Sequence, residues 1–162
     1  MKKLMLGNAA VARGLYEAGC GLISSYPGTP STEITEQAAQ YDEIYCEWAP
    51  NEKVATETAC GASIGGARSF CAMKHVGLNV AADPLFHHEL HRRERRHGAG
   101  RGRRPRHALL PERAGFPQLR PGRQGPHGGC PPTARNVVTS PKLAYELSEE
   151  FDTPVILRLT TR

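Results

Sequence analysis

The stretch CGLISSYPGTPSTEI (20–34) decides how this chain folds. Its first half, CGLISSY (20–26), is a short apolar run that reads as a buried strand. PGTP (27–30) ends it: Pro27 and Pro30 stiffen the backbone, and Gly28 permits a positive φ or a close approach. Ser31 or Thr32 is placed to cap a helix over residues 33–40. Strand, stiff turn and helix in close succession is the building unit of a parallel α/β sheet.

The flanks repeat that unit. Upstream, residues 8–18 set Ala9, Val11, Ala12, Leu15 and Tyr16 at helical spacing, with Gly19 as the stop. Downstream, EIYCEWA (43–49) reads as a second strand and Asn51 as the cap of a helix running to about residue 64. That helix is crowded with small residues (Ala55, Ala59, Gly61, Ala62, Ser63), which let another backbone or a ligand come near. RSFCAMK (68–74) is a third strand, and residues 78–86 begin another helix. At the far end, residues 142–151 are helical by pattern and TPVILRL (153–159) is a fourth strand. The expected fold class is therefore α/β, a parallel sheet with flanking helices.

Residues 87–141 do not share this patterning. They hold 12 of the 21 basic residues, all arginine, with only Glu89, Glu94 and Glu112 as acids. They also hold eight of 13 prolines, eight of 17 glycines and six of seven histidines, and no Lys, Ile, Met, Asp, Tyr or Trp. The chain's net charge of +5 comes from this block alone, since the remainder is acidic. No helical or strand period buries an apolar face here, so the block is expected to be irregular or extended, with few contacts to the rest. HHELH (87–91) is not a zinc motif, because HExxH needs a histidine where Arg92 stands. A solvated basic linker, an arginine-rich nucleic-acid arm, and DNA translated out of frame are the competing readings. The arm lacks lysine and interleaved aromatics for base stacking.

Five cysteines without a CxxC spacing read as reduced thiols, and the longest apolar run is far short of a membrane span. A cytoplasmic protein with no membrane partner is expected.

The flanks resemble the N-terminal, pyrimidine-binding part of the large subunit of the indolepyruvate branch of the thiamine-diphosphate-dependent 2-oxoacid:ferredoxin oxidoreductases. The matching stretches are SSYPGTPSTEI (24–34), EWAPNEKVA (47–55), GASIGGAR (61–68), CAMKHVGLNVAADPLF (71–86) and KLAYELSEEFDTPVILRLTTR (142–162). One local departure is Ala9, which stands where the family usually has glutamate. The resemblance implies three segments: 1–86, the first part of the pyrimidine domain; 87–141, out of frame; and 142–162, that domain's last helix and strand. Back-translating 87–118 with permitted codons and dropping one base yields IMSYTGVNGGMVLVVADD and onward, similar to what the family carries here. One surplus base near Phe86, a second near residues 128–132 and a third near Pro141 restore the frame. On that reading the domain is incomplete, missing a central strand.

The resemblance also implies chemistry. The family converts an arylpyruvate and coenzyme A to an aryl-acyl-CoA and CO₂, reducing ferredoxin. Its cofactor is thiamine diphosphate, whose diphosphate and Mg are held by another domain; no residue of this chain is expected to bind metal. Its 4Fe-4S clusters lie further along the large subunit. Expected partners are the small subunit, a second copy of the large subunit and ferredoxin. The family places Glu52 as the catalytic glutamate that bonds the aminopyrimidine ring nitrogen, general acid–base work for a carboxyl group in a dry pocket. Tyr26, Pro27, Gly28 and Thr29 join it as cofactor-binding residues, and Thr29, Lys74 and His75 face the substrate, with Asn79 a further polar contact. The isolated chain is expected to be inactive. A sibling 2-oxoacid:ferredoxin oxidoreductase subunit and a small basic nucleic-acid-binding protein using 87–141 are the runner-up readings.

Overall fold

A computed structural model describes residues 5–87, 106–111, 134–151 and 153–159, with only the backbone of 106–111 and 134–136. The elements are α1 (Gly7–Glu17), β1 (Cys20–Ser25), α2 (Thr32–Ala38), β2 (Tyr45–Trp48), α3 (Glu52–Ile64), β3 (Arg68–Met73) and α4 (Gly77–Val80). A further helical stretch, α5, covers residues 82–87. Then come β4 (Arg106–Pro111), α6 (Ala134–Phe151) and the two-residue β5 (Val155–Ile156). The strands form one parallel sheet in the order β2-β1-β3-β4-β5.

Local chemistry explains the element ends. Gly19, at φ +70°, ends α1 in the left-handed region that a side chain would resist. Asn51 caps α3 by accepting a hydrogen bond from the Val54 N–H at 2.9 Å. Ser31 precedes α2 but makes no capping bond; its hydroxyl instead donates to the Gly28 carbonyl at 2.9 Å.

Both faces of the sheet are covered, as parallel sheets require. On one side Ile23, Phe70 and Ala72 pack with Val11 and Leu15 of α1, Ile34 and Ala38 of α2, and Ala144 and Tyr145 of α6. On the other side Cys71 and Met73 meet Ala55 and Ala59 of α3 and Ala81. Successive β3 residues thus feed opposite cores, the two-residue period of a strand. α1 and α6 touch closely at Gly14, where an added Cβ would strike the Val138 carbonyl and the ring of Pro141.

Two expectations for residues 87–141 need correcting. Residues 106–111 are not irregular: they form β4, which fills the slot between β3 and β5 with Phe70 opposite Ala108 and Ala108 opposite Val155. The sheet therefore does not lack a central strand. Ala108-Leu109-Leu110 is the block's one run of three aliphatic residues, and an inner parallel strand needs a continuous apolar run rather than alternation. β4 also lies against α3 and α6, so it does contact the rest of the chain. Second, the last long helix begins at Ala134 and runs through Pro141, rather than starting after it. The remainder of the arginine-rich block, including most of HHELH, lies outside the described residues. Among the described residues no helix is long and apolar enough to cross a membrane.

Burial makes two thiols titratable only under alkaline conditions. Cys20 and Cys71 are each pushed up to about 12 from an ordinary value of 9.0, chiefly by desolvation. The buried Tyr145 hydroxyl, which donates to the Ser69 carbonyl at 3.1 Å, is raised well above 10 for the same reason. The folded chain holds these protons more tightly than the unfolded chain. Their stabilising contribution is complete below about pH 9 and is lost as pH climbs toward 12. At pH 8 a thiol reagent is expected to leave Cys20 and Cys71 unmodified until the chain is unfolded. Rapid labelling of either in the folded chain would refute this burial.

Candidate functional site

In a parallel sheet every strand ends on the same edge. Here the loops after β1, β2 and β3 share that edge, with β1 between the other two. From β1 the chain crosses over one face through α2 to β2, then returns over the other face through α3 to β3. Sheets with such a reversal form their ligand crevice at the carboxyl ends of the two strands that flank it, here β1 and β3.

Three segments meet there. The first is YPGTP (26–30), held by short bonds: the Gly28 N–H donates to Thr32 Oγ1 at 2.8 Å, and the Thr32 N–H donates back to the Gly28 carbonyl at 3.3 Å. Thr29-Pro30 is a cis peptide. From α1, the Asn8 side-chain amide donates to the Pro30 carbonyl at 2.9 Å and to Glu33 Oε2 at 2.8 Å. Beneath the loop, Ser25 Oγ and Thr35 Oγ1 share a buried hydrogen bond of 2.8 Å, and Ser25 Oγ accepts from the Ala72 N–H at 3.3 Å. The end of β1 is thereby tied to both α2 and β3.

The second segment is Ala49-Pro50-Asn51-Glu52. The Ala49 N–H donates to the Ser25 carbonyl at 2.9 Å, extending the β1–β2 pairing up to the helix start. Glu52 opens α3 and is 6% exposed. Among the described residues its carboxylate has no hydrogen-bond or ion-pair partner, whereas its backbone carbonyl accepts from Thr56 Oγ1 at 2.8 Å. A buried carboxylate left without a partner is costly, and an α-helix start offsets only a part of that cost. No other described residue offsets the rest of that cost.

The third segment is Lys74-His75-Val76-Gly77, closed by the Gly77 N–H donating to the Lys74 carbonyl at 2.9 Å. Lys74 is half-buried, and its aliphatic stem lies against Gly28: a Cβ on Gly28 would stand 3.1 Å from Lys74 Cδ. Gly77 lies against Glu52 in the same way. This one turn thus touches both of the other segments. Lys53, next to Glu52, forms a 2.7 Å ion pair with Asp83 of α5, which raises the lysine and lowers the carboxyl from their ordinary values. Both partners are exposed, so the pair orients α5 more than it stabilises the fold.

Of the residues singled out in the sequence, Gly28, Glu52 and Lys74 come together through these contacts. Tyr26 is half-buried, Pro27 and Thr29 are exposed on the loop, and His75 and Asn79 face solvent. Asn8 and Gly77 were not singled out, because each acts on a segment distant in sequence. Among the described residues no group of three His, Cys, Asp or Glu side chains could hold a metal.

Residues 13–90 match the family described as pyruvate flavodoxin/ferredoxin oxidoreductase, thiamine diphosphate-binding. The chain belongs to this family. Relatives include the indolepyruvate oxidoreductase subunit IorA of Archaeoglobus fulgidus. The two are 34% identical over 186 residues, covering 99% of this chain and 27% of the relative. IorA of Pyrococcus horikoshii is 51% identical over 88 residues, 52% of this chain and 14% of the relative. Among solved structures, a 2-oxoglutarate:ferredoxin oxidoreductase from Magnetococcus marinus, with 2-oxoglutarate, coenzyme A and succinyl-CoA bound, superposes with a TM-score of 0.74. Sequence identity is 23%, over 96% of this chain and 29% of that one, so the likeness shows the parallel α/β fold. The chain spans about a quarter of the length of the IorA relatives it matches.

Proposed function

We propose that this chain is the pyrimidine-binding part of an indolepyruvate:ferredoxin oxidoreductase, acting on arylpyruvates with coenzyme A and ferredoxin as co-substrates. The single observation that carries the reading is Glu52: a carboxylate 6% exposed, at a carboxyl-edge crevice, with no partner among the described residues. An aminopyrimidine ring suits that carboxylate in hydrogen bonding, since its ring nitrogen can share a proton with it. Thiamine diphosphate, when bound, supplies the carbon nucleophile and electron sink for decarboxylating a 2-oxoacid. Glu52 holds and moves the proton at the ring nitrogen. The YPGTP loop, with Thr29 as hydroxyl donor and Tyr26, Pro27 and Gly28 as its wall, lies over the cofactor. Lys74 pairs with the substrate carboxylate beside His75.

On this reading the diphosphate, its Mg and the 4Fe-4S clusters are held outside this chain, in an assembly with a small subunit and a second large subunit. The isolated chain, on this reading, does not turn over. We also infer that much of 87–141 is out-of-frame translation. β4 shows that one apolar run can occupy the sheet, but it does not account for the block's composition. In the decoded string the apolar run MVLVVA falls at 97–102, nine residues ahead of β4. The nucleotide sequence over codons 84–144 tests this directly: three surplus bases are expected, and an intact frame removes the inference.

Trp48, the chain's one tryptophan, stands half-exposed at the end of β2, four residues before Glu52. Titrating thiamine diphosphate is expected to change its fluorescence saturably, and thiamine lacking the diphosphate is expected to compete. No change at millimolar cofactor would count against the proposal.

A further inference from the structure

Gly77 carries an inference that rests on the reading of Glu52 just given and extends it. Its φ is not in the left-handed region, so no backbone conformation requires glycine there. It begins a helix, where alanine is ordinarily the better residue. What glycine provides is room. A Cβ at position 77 would stand 2.6 Å from Glu52 Oε1, 2.7 Å from its Cγ and 2.9 Å from its Cδ. All three distances are shorter than real Cβ contacts allow, and all three involve the same side chain. The Gly77 Cα is therefore the surface on which the Glu52 side chain lies.

The same turn also touches the loop after β1. Gly77 is bonded to the Lys74 carbonyl, and the Lys74 stem lies on Gly28. Two glycines, one on each side of the turn, let Lys74 and Glu52 approach the backbone at van der Waals range. We infer that Gly77 is a positioning residue: by lacking a side chain it sets where the Glu52 carboxylate stands, and the 74–77 turn transmits that position to the YPGTP loop.

The test uses the full chain as four proteins: unsubstituted, Gly77→Ala, Glu52→Ala and the double variant. Urea denaturation reads the contact without any cofactor. Gly77→Ala is expected to lower the midpoint when Glu52 is present and to leave it unchanged or raise it when Glu52 is alanine. An equal shift in both backgrounds overturns the contact. Should Gly77→Ala fail to fold, refolding by the double variant supports the proposal, and failure of both overturns it.

Binding reads the positioning. Each protein is titrated with thiamine diphosphate and with an analogue carrying CH in place of the ring nitrogen. The unsubstituted chain is expected to prefer the natural cofactor by about tenfold or more, the weight of one hydrogen bond to a charged group. Gly77→Ala is expected to lose that preference and match Glu52→Ala, while binding the analogue as before. Equal weakening of both ligands means a merely structural role and overturns the proposal. An unsubstituted chain with no preference removes the cofactor reading itself. In that case the urea cycle still shows whether Gly77 and Glu52 touch, so the two failures are distinguishable.

Discussion

Glu52→Met is expected to make the folded chain more stable and to weaken its hold on thiamine diphosphate. The two effects have one cause. Glu52 is 6% exposed, and its carboxylate finds no partner among the described residues. Methionine has the same reach, is unbranched and adapts to irregular space. Removing an uncompensated buried polar group is expected to raise stability by about 1–3 kcal/mol, read as a higher urea midpoint at unchanged slope. Binding of the cofactor is expected to fall by about 10–100-fold, the weight of a hydrogen bond to a charged group. In an assembled oxidoreductase the loss of an acid–base group is expected to cost about 10²–10⁴-fold in rate. A substitution that lowers stability and leaves binding alone would show Glu52 to be an ordinary helix-start residue. Opposite signs for stability and binding distinguish a functional carboxylate from a structural one.

Phe70→Ala is expected to have the largest effect on the fold. Phe70 lies on the central strand β3, fully buried, opposite Ile23 of β1 and Ala108 of β4. Its ring packs in the core formed by α1, α2 and α6. Phe-to-Ala truncations in such cores cost about 3–5 kcal/mol, through lost burial and the cavity left behind. Against a typical total of about 5–15 kcal/mol, that is a large share of the stability, read as a much lower urea midpoint. Trp48→Ala, on an exposed edge-strand site, is the comparison and is expected to change stability by less than about 1 kcal/mol. Similar urea midpoints for the two variants would mean that Phe70 is not central to the core. The consequence extends to the crevice, because Cys71 and Met73 on the opposite side of the same strand support α3, which carries Glu52.

The parts of this architecture that were legible in the sequence are those with local causes. Residues 20–30 announce a strand and a stiff turn by an apolar run and two prolines. Asn51 announces a helix start because its side chain bonds three residues ahead. The cap marks Glu52 only as the first residue of the helix; its singling out comes from the family resemblance of EWAPNEKVA. The features missed have distant causes. β4 has no alternation to reveal it; its slot is defined by neighbours more than thirty residues away on either side. The helical pattern read from the sequence starts at residue 142, after Pro141. The structure carries the helix upstream through Pro141, whose ring lies against Gly14 of α1, a contact distant in sequence. Ser31 has the residue type of a cap, but its hydroxyl is engaged by the Gly28 carbonyl of the preceding turn. Asn8 and Gly77 act across 22 and 25 residues respectively, and no window on the chain joins them to what they hold.

Asn8 has a practical bearing on how the molecule is handled. One amide group at the first turn of α1 grips both the carbonyl of Pro30 and the carboxylate of Glu33. A purification tag or fusion partner attached ahead of Gly7 would therefore pull on the same helical turn that steadies the YPGTP loop. Fusions made at the opposite terminus avoid that lever, and comparing ligand affinity between the two arrangements would show how much tension the loop tolerates.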